Sequence, residues 1–311
     1  MARQALTRII FLPVVLLGVT VVLFAISQVI PSDPARLIVG DYVQPNVRAA
    51  IDAKYGLGQP FTTQYAKYMG RLVHGDLGTS IRYNLPVSTI LRSAFPATLE
   101  LVGAAALVNI VMTFGLGFLA ARFHNTILDG GIRLFALIGT STATFILAIV
   151  LILVFGFYLN ILPISGRGSP PDIQHLILPA FVLGYADAGN NVRVFRASLL
   201  ESLGKDYVRA ARARGIGEPS ILFKHAGLNS LGPTITVLGL SIARIAGSVI
   251  LVETVFQWPG IGHLLDVGIL WNDFPLLTGA LLLLLIYTVV VTLVVDILYR
   301  VVDPRLRAET A

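Results

Sequence analysis

Long apolar stretches recur along this chain, each near the roughly 20 residues an α-helix needs to cross about 30 Å of hydrocarbon. They run from Ile9 to Ile30, Ala97 to Ala121, Ile132 to Tyr158, Leu176 to Val194, Thr234 to Val255 and Leu276 to Tyr299. Inside lipid the backbone has no water to bond, so such stretches must be helices. The expected fold is therefore an all-α polytopic membrane protein with six transmembrane helices. Composition agrees: 13% of the 311 residues are charged and 55% are hydrophobic, whereas soluble domains carry roughly 25% charge. That is too little charge to coat a soluble enzyme or to hold a chain disordered. There is no cysteine, which excludes disulfides, thiolate metal sites and cysteine nucleophiles.

The first stretch needs a decision. Ala25-Ile26-Ser27 resembles a small-x-small cleavage site. The apolar run before it is longer than the roughly 7–15 residues of a signal-peptide core, so it is read as a retained helix. Lys and Arg then set the orientation. With the N-terminus inside, Arg3 and Arg8, Arg122 and Arg133, the run from Arg193 to Lys224, and Arg300, Arg305 and Arg307 all fall on the cytoplasmic side. The short outer loops hold only Arg167. The cations between Pro31 and Pro96 lie in a long segment, and long segments cross largely regardless of charge. Both termini are expected in the cytoplasm, and the net charge of +6 is read as topology, not nucleic-acid binding.

The chain divides accordingly into an N-terminal span (1–30), an extracytoplasmic segment (31–96) long enough for short helices, a core of five spans (97–300) and a cytoplasmic tail (301–311). Within the core, 196–229 reads as a long basic cytoplasmic loop. The loop from Glu253 to Phe274 holds Trp258-Pro259-Gly260-Ile261-Gly262 and no Lys or Arg.

Polar groups inside the spans are the first functional candidates, because an ionisable group in a bilayer costs roughly 2.5–3.5 kcal/mol on insertion scales. Asp187, Asn190 and Asn191 share one face of the fourth span, and Ser241, Arg244 and Ser248 one face of the fifth. Asn109 pairs with Thr113 on the second span, and Thr140 with Thr144 on the third. Two readings fit. The faces line a hydrophilic passage in which Arg244 meets a ligand carboxylate or a backbone carbonyl, or they pair and glue helices together. Glu100 and Asp296, near helix ends, are read as structural.

In the basic loop, Asp206-Tyr207-Val208-Arg209-Ala210-Ala211-Arg212-Ala213-Arg214-Gly215 is rich in helix formers and ends on a glycine. Asp206 suits the N-cap or first turn. Tyr207, Ala210, Ala211 and Arg214 fall on one face, where the adjacent alanines admit another protein's backbone. The alternative is a surface helix that only obeys the positive-inside rule.

Arg209-Ala210-Ala211-x-x-x-Gly215 resembles the "EAA" loop of ATP-binding-cassette (ABC) importer permeases, with Arg209 in the place of the motif's Glu. His225, Asn229 and Pro233 stand at the spacing of the dipeptide/oligopeptide/nickel branch, whose loop is similar to Asp206–Gly215. Four further stretches resemble that branch in the same order: Pro31–Arg36, Gly75–Gly78, Glu253–Gly262, and Asp296–Tyr299 with Asp303-Pro304-Arg305. The N-terminal pattern is similar to the B-type of its two permease subunits.

The resemblance implies a type I ABC-importer-like permease in a bacterial cytoplasmic (inner) membrane, with a helical extracytoplasmic insertion between helices 1 and 2. It implies four kinds of partner: a homologous second permease subunit, two cytoplasmic ATPase subunits, an extracytoplasmic substrate-binding protein and membrane lipid. The implied cargo is di- or oligopeptides. Asp206, Tyr207, Arg209, Ala210, Ala211, Arg212, Arg214 and Gly215 would form the ATPase-coupling helix. Asp187, Asn190, Asn191, Ser241, Arg244 and Ser248 would line the pathway, and Glu253, Trp258, Pro259 and Gly260 would form the external gate. ATP and Mg would be bound by the partner ATPases, with no cofactor or metal in this chain. The residues support one part of this independently, since no GxxxxGK[ST] phosphate loop exists here: Gly204-Lys205 is followed by Asp206 and lacks the upstream glycine. A chain of this kind is not an enzyme. The competing readings are a stand-alone channel or secondary carrier for small polar solutes, against which the lack of an internal repeat counts, and an intramembrane hydrolase, for which no GxSxG is present.

Overall fold

The computed structural model describes residues 17–22, 24–25, 59–169 and 172–302, the last of these (296–302) as backbone alone. Most of the first expected span, the Pro31–Arg36 stretch, the side chain of Asp296 and the C-terminal tail therefore lie outside the described residues. The rest is almost wholly helical: α1 (Phe61–Val73), α2 (Val87–Arg122), α3 (Ile127–Ser141), α4 (Thr144–Leu151), α5 (Ile173–Leu203), α6 (Asp206–Ala213), α7 (Leu231–Val255), α8 (Ile261–Leu270) and α9 (Phe274–Val302). A π-helical stretch, Ile152–Tyr158, continues α4, and a second, Ile221–Gly227, leads towards α7. Two compact units form, Met1–Ala97 with Pro259–Tyr287, and Thr98–Trp258 with Thr288–Ala311.

Among the described residues, three helices are long and apolar enough to cross a membrane: α2, α7 and residues Phe274–Val295 of α9. A fourth crossing results if α3 and the Thr144–Tyr158 helix count as one span. The second span starts at Val87, not Ala97, and runs through Pro96. Proline removes an amide from the ladder, yet Val87, Leu91, Ala94 and Ala97 are all buried, and that apolar stripe carries the helix across it.

The stretch from Ile132 to Tyr158 is not one straight helix. It bends by 112° between Ser141 and Thr144, where Thr142 and Ala143 are extended. The hydroxyl of Thr140 donates to the Leu137 carbonyl at 3.0 Å, and that of Thr142 to the Ile138 carbonyl at 2.8 Å. Such back-bonding competes with the helical ladder and favours a bend. Thr140 and Thr144 therefore lie on opposite sides of a break and share no helix face.

The fourth stretch is longer than its apolar part. α5 begins at the N-cap Asp172, whose carboxylate accepts the Gln174 amide at 3.1 Å, and continues to Leu203, so residues 196–203 are helix rather than loop. It carries Asp187, Asn190, Asn191, Arg193, Arg196 and Glu201 and is not among the helices apolar enough to cross.

In the unit holding Thr98–Trp258, α5 packs between α3 and α7. Two glycines permit close approach, Gly189 to α3 and Gly184 to α2. A Cβ on Gly189 would stand 2.0 Å from the Ala136 carbonyl oxygen, and one on Gly184 would stand 2.5 Å from that of Ala105. In the other unit, the turn from Ser80 to Leu85 is pinned by the fully buried Asp273. Its carboxylate accepts the Ser80 hydroxyl at 2.5 Å and the Arg82 amide at 2.9 Å, and caps the start of α9 through the Leu276 amide at 3.2 Å. The Arg82 guanidinium lies 3.9 Å above the Trp271 ring, a cation–π contact.

Candidate functional site

The helix expected in the basic loop forms from Asp206 to Ala213. Lys205 is its N-cap and Asp206 its first-turn acid, where a negative charge complements the helix dipole. Gly215, at φ +77°, ends it. The Gly215 amide donates to the Arg212 carbonyl at 2.9 Å and the Ile216 amide to that of Ala211 at 3.2 Å, the paired bonds of a Schellman cap.

The helix turns a different face inward from the one its alanines suggested. Val208 and Ala211 are buried in a cluster with Phe195 and Leu199 of α5, Ala121 of α2, and Ile221, Leu222 and Ala226 of the following π-stretch. Phe195 stands at its centre, its ring edge-to-face with Phe114 at 4.9 Å and with Phe118 at 4.8 Å between centroids. Ala211 is thus part of the seat and not of the free surface, because position 211 follows Val208 by three residues on the apolar side. Tyr207, Arg209, Ala210, Arg212 and Arg214 remain exposed. Arg209 pairs with Asp206 at 2.6 Å, Lys205 with Glu201 at 2.8 Å, and Arg212 with Glu218 at 2.7 Å. Hydrogen bonding to Arg212 holds the Glu218 carboxyl below the ordinary glutamate range, and Lys205 does the same for Glu201. Arg214 has no ion pair among the described residues and faces solvent.

The polar residues of α5 and α7 separate into two groups. Asn191 and Ser241 are fully buried. The Asn191 amide donates to Asn109 Oδ1 at 2.9 Å and lies 2.8 Å from Ser241 Oγ. Asn109 in turn donates to the Gly184 carbonyl at 3.0 Å. This chain ties α2, α5 and α7 together, as polar groups do between membrane helices. Thr113, its expected neighbour, is buried without a hydrogen bond at its hydroxyl among the described residues.

Asp187 and Arg244 differ. They pair at 2.8 and 2.9 Å, and Arg244 also reaches Ser241 Oγ at 3.2 Å. Their side chains remain 22% and 51% exposed, so the ion pair looks out of the bundle. Asn190 and Ser248 are half-buried; the Ser248 hydroxyl bonds its own helix at the Ile245 carbonyl, 3.4 Å away.

Glu253 and Trp258 are both fully buried at the end of α7. Glu253 Oε1 accepts the Thr98 hydroxyl at 2.7 Å, and the Glu253 carbonyl accepts the Trp258 amide at 2.8 Å. Arg167 from the α4–α5 connection stands 6.0 Å from the Trp258 ring and forms an ion pair with Glu100. The Gly166 amide donates to the Phe256 carbonyl at 2.8 Å. Pro259 is exposed and Gly260 is the buried N-cap of α8, both in the other unit. No motif or periodicity marks Thr98 or pairs Asp129 with Arg196, although Thr126-x-x-Asp129 ahead of an apolar run is a helix-start signal. Among the described residues no group of three or more His, Asp or Glu side chains is placed to hold a metal ion.

The family described as binding-protein-dependent transport system inner membrane component matches residues 113–308, and its N-terminal companion matches residues 1–102. The chain is 40% identical to the probable D,D-dipeptide transport system permease protein DdpB of Escherichia coli K12, over 95% of this chain and 94% of that protein. It is 35% identical to the dipeptide transport system permease protein DppB of Alkalihalophilus pseudofirmus, over 99% and 100%. It is also 35% identical to the oligopeptide transport system permease protein AppB of Bacillus subtilis, over 98% and 99%. Its fold is similar to a chain of the MetNI methionine ABC transporter in an inward-facing form, with a TM-score of 0.57 and 18% identity over 69% of this chain and 96% of that one. The helical, apolar architecture and these matches together place the chain in the family of binding-protein-dependent transport system inner membrane components.

Proposed function

We propose that this chain is the B-type permease subunit of an ATP-driven, binding-protein-dependent importer of di- or oligopeptides, and that it forms half of the translocation pathway. The observation that carries the reading is the short basic helix Asp206–Ala213. Its apolar side is seated on the end of α5 and its cationic side is exposed. An exposed helix so anchored can receive a push from a neighbouring protein and pass it to the bundle. The relatives named for dipeptide and oligopeptide transport support the cargo.

In this reading the chain has six spans, both termini in the cytoplasm and a helical extracytoplasmic insertion that includes α1. Tyr207, Arg209, Ala210, Arg212 and Arg214 meet one of two cytoplasmic ATPases that bind ATP and Mg. Asp206 and Gly215 delimit the helix, and Ala211 seats it. A second, homologous permease completes the passage, and an external binding protein supplies the peptide. Arg244, Asp187, Asn190 and Ser248 face the passage, while Asn191 and Ser241 hold its wall. Glu253 and Trp258 brace the external gate, with Pro259 and Gly260 following them in the chain. The chain itself performs no hydrolysis.

The test is purification from native membranes followed by reconstitution. Co-purification with an ATPase and a second permease, and peptide uptake that stops without ATP, is the expected result. A chain that purifies alone and transports under an ion gradient would refute the proposal and favour a secondary carrier.

A further inference from the structure

The cytoplasmic end of α5 has two engaged flanks. Phe195 and Leu199 form the floor under α6. Arg196 lies one residue on, about 100° further round the helix. Its guanidinium donates from Nε to Asp129 Oδ1 at 2.7 Å and from Nη2 to Oδ2 at 2.7 Å. Asp129 sits in the first turn of α3 and is fully buried. It also accepts the Asn125 amide at 3.2 Å, and Arg133 Nε stands 3.7 Å away. His124 Nδ1 lies 2.9 Å from Arg196 Nη2 and must accept there, because a guanidinium has only protons to give. Further along, the same two helices meet again, where the Tyr185 hydroxyl donates to the Phe135 carbonyl at 2.6 Å.

We infer that Asp129 and Arg196 are positioning residues for transport: their clamp makes α3 follow the end of α5, so that force entering at α6 reaches the bent α3–α4 pair as well as α5. This rests on the coupling role proposed for α6. A two-point guanidinium–carboxylate contact is directional. Parting it would strand a fully buried carboxylate, which is far costlier than the loss of an exposed pair. The hydrophobic seat ties α6 to α5 and the clamp ties α5 to α3, so the three move together. His124, on the second edge of the guanidinium, fixes its plane.

The test uses the complete reconstituted complex with its binding protein. Spin labels are placed at the exposed positions Ala213 on α6 and Leu134 on α3, and their separation is measured by pulsed electron resonance without nucleotide and after vanadate trapping. With the clamp intact, the separation is expected to stay within about 2 Å between the states, the scale of small helix adjustments. In Asp129→Asn and Arg196→Lys the separation is expected to shift or broaden, with ATP hydrolysis retained and peptide uptake per ATP reduced about tenfold.

Should the single variants fail to assemble, Asp129→Leu combined with Arg196→Met removes both charges without stranding either. It is expected to assemble, hydrolyse ATP and show the same loosened distance and poor uptake per ATP. A label separation that changes between states with the clamp intact, or uptake per ATP equal to that of the unaltered protein in the double variant, overturns the inference. Failure of the coupling role itself would look different: the unaltered complex would take up peptide without ATP.

Discussion

Phe195→Ala tests the seat of α6 most directly. Phe195 is fully buried, and two edge-to-face rings hold it. Removing a buried phenylalanine side chain costs about 3–5 kcal/mol, of which the cavity left behind is part. Each aromatic pair contributes roughly 0.5–1.5 kcal/mol beyond area burial, so the lost ring pairs account for about 1–3 kcal/mol of the total. Phe195→Leu keeps most of the volume and should cost about 1–3 kcal/mol, mainly the ring contacts. Phe114 and Phe118 lie on α2, so the ring contacts hold α5 to α2; the remaining roughly 2 kcal/mol falls on the cluster in which Val208 and Ala211 pack.

Amide hydrogen exchange on the intact complex is the assay. If α6 opens by leaving its seat, exchange at Val208–Gly215 should accelerate about thirtyfold in Phe195→Ala and less than about threefold in Phe195→Leu, at 1.4 kcal/mol per factor of ten. Amides in the middle of α7 should not change. Exchange at Val208–Gly215 that stays within threefold of the unaltered protein in Phe195→Ala would refute the seat.

Other substitutions separate roles that the sequence merged. Ala211→Glu places a carboxylate in the seat and is expected to destabilise the loop by several kcal/mol, whereas Ala210→Glu is exposed and should leave thermal stability within about 0.5 kcal/mol while weakening co-purification of the ATPase; equal behaviour of the two in both assays would refute the orientation of α6. Gly215→Val should cost about 1–2 kcal/mol or more, since φ +77° crowds a Cβ, and Gly215→Asn should cost less; thermal denaturation monitored on the complex ranks them. Asn191→Leu removes the bridge between Asn109 and Ser241 and should cost about 0.6–1.7 kcal/mol, the range measured between membrane helices; a double-mutant cycle with Asn109→Leu should recover part of it, and strict additivity would show that the two do not interact.

The amino-acid sequence alone determined that this chain is a helical membrane protein, where its apolar stretches lie, and where the short basic helix α6 begins and ends. Those properties are local: a run of apolar residues must satisfy its backbone inside lipid, and a glycine after Arg214 accepts a conformation other residues resist. Tertiary structure decided what locality cannot. The apolar stripe of Val87, Leu91, Ala94 and Ala97 carried α2 through Pro96, because packing outweighs one lost amide bond. Ala211 turned inward while Ala210 stayed out, because Phe195 and Leu199 cover the side of the helix that Ala211 shares with Val208. Asn191 went into a bonded wall and Arg244 to an exposed pair, although both read as polar groups on spanning helices. Asp129 and Arg196 lie 67 positions apart, and no periodicity in a single sequence links two charges that meet only when two helices pack.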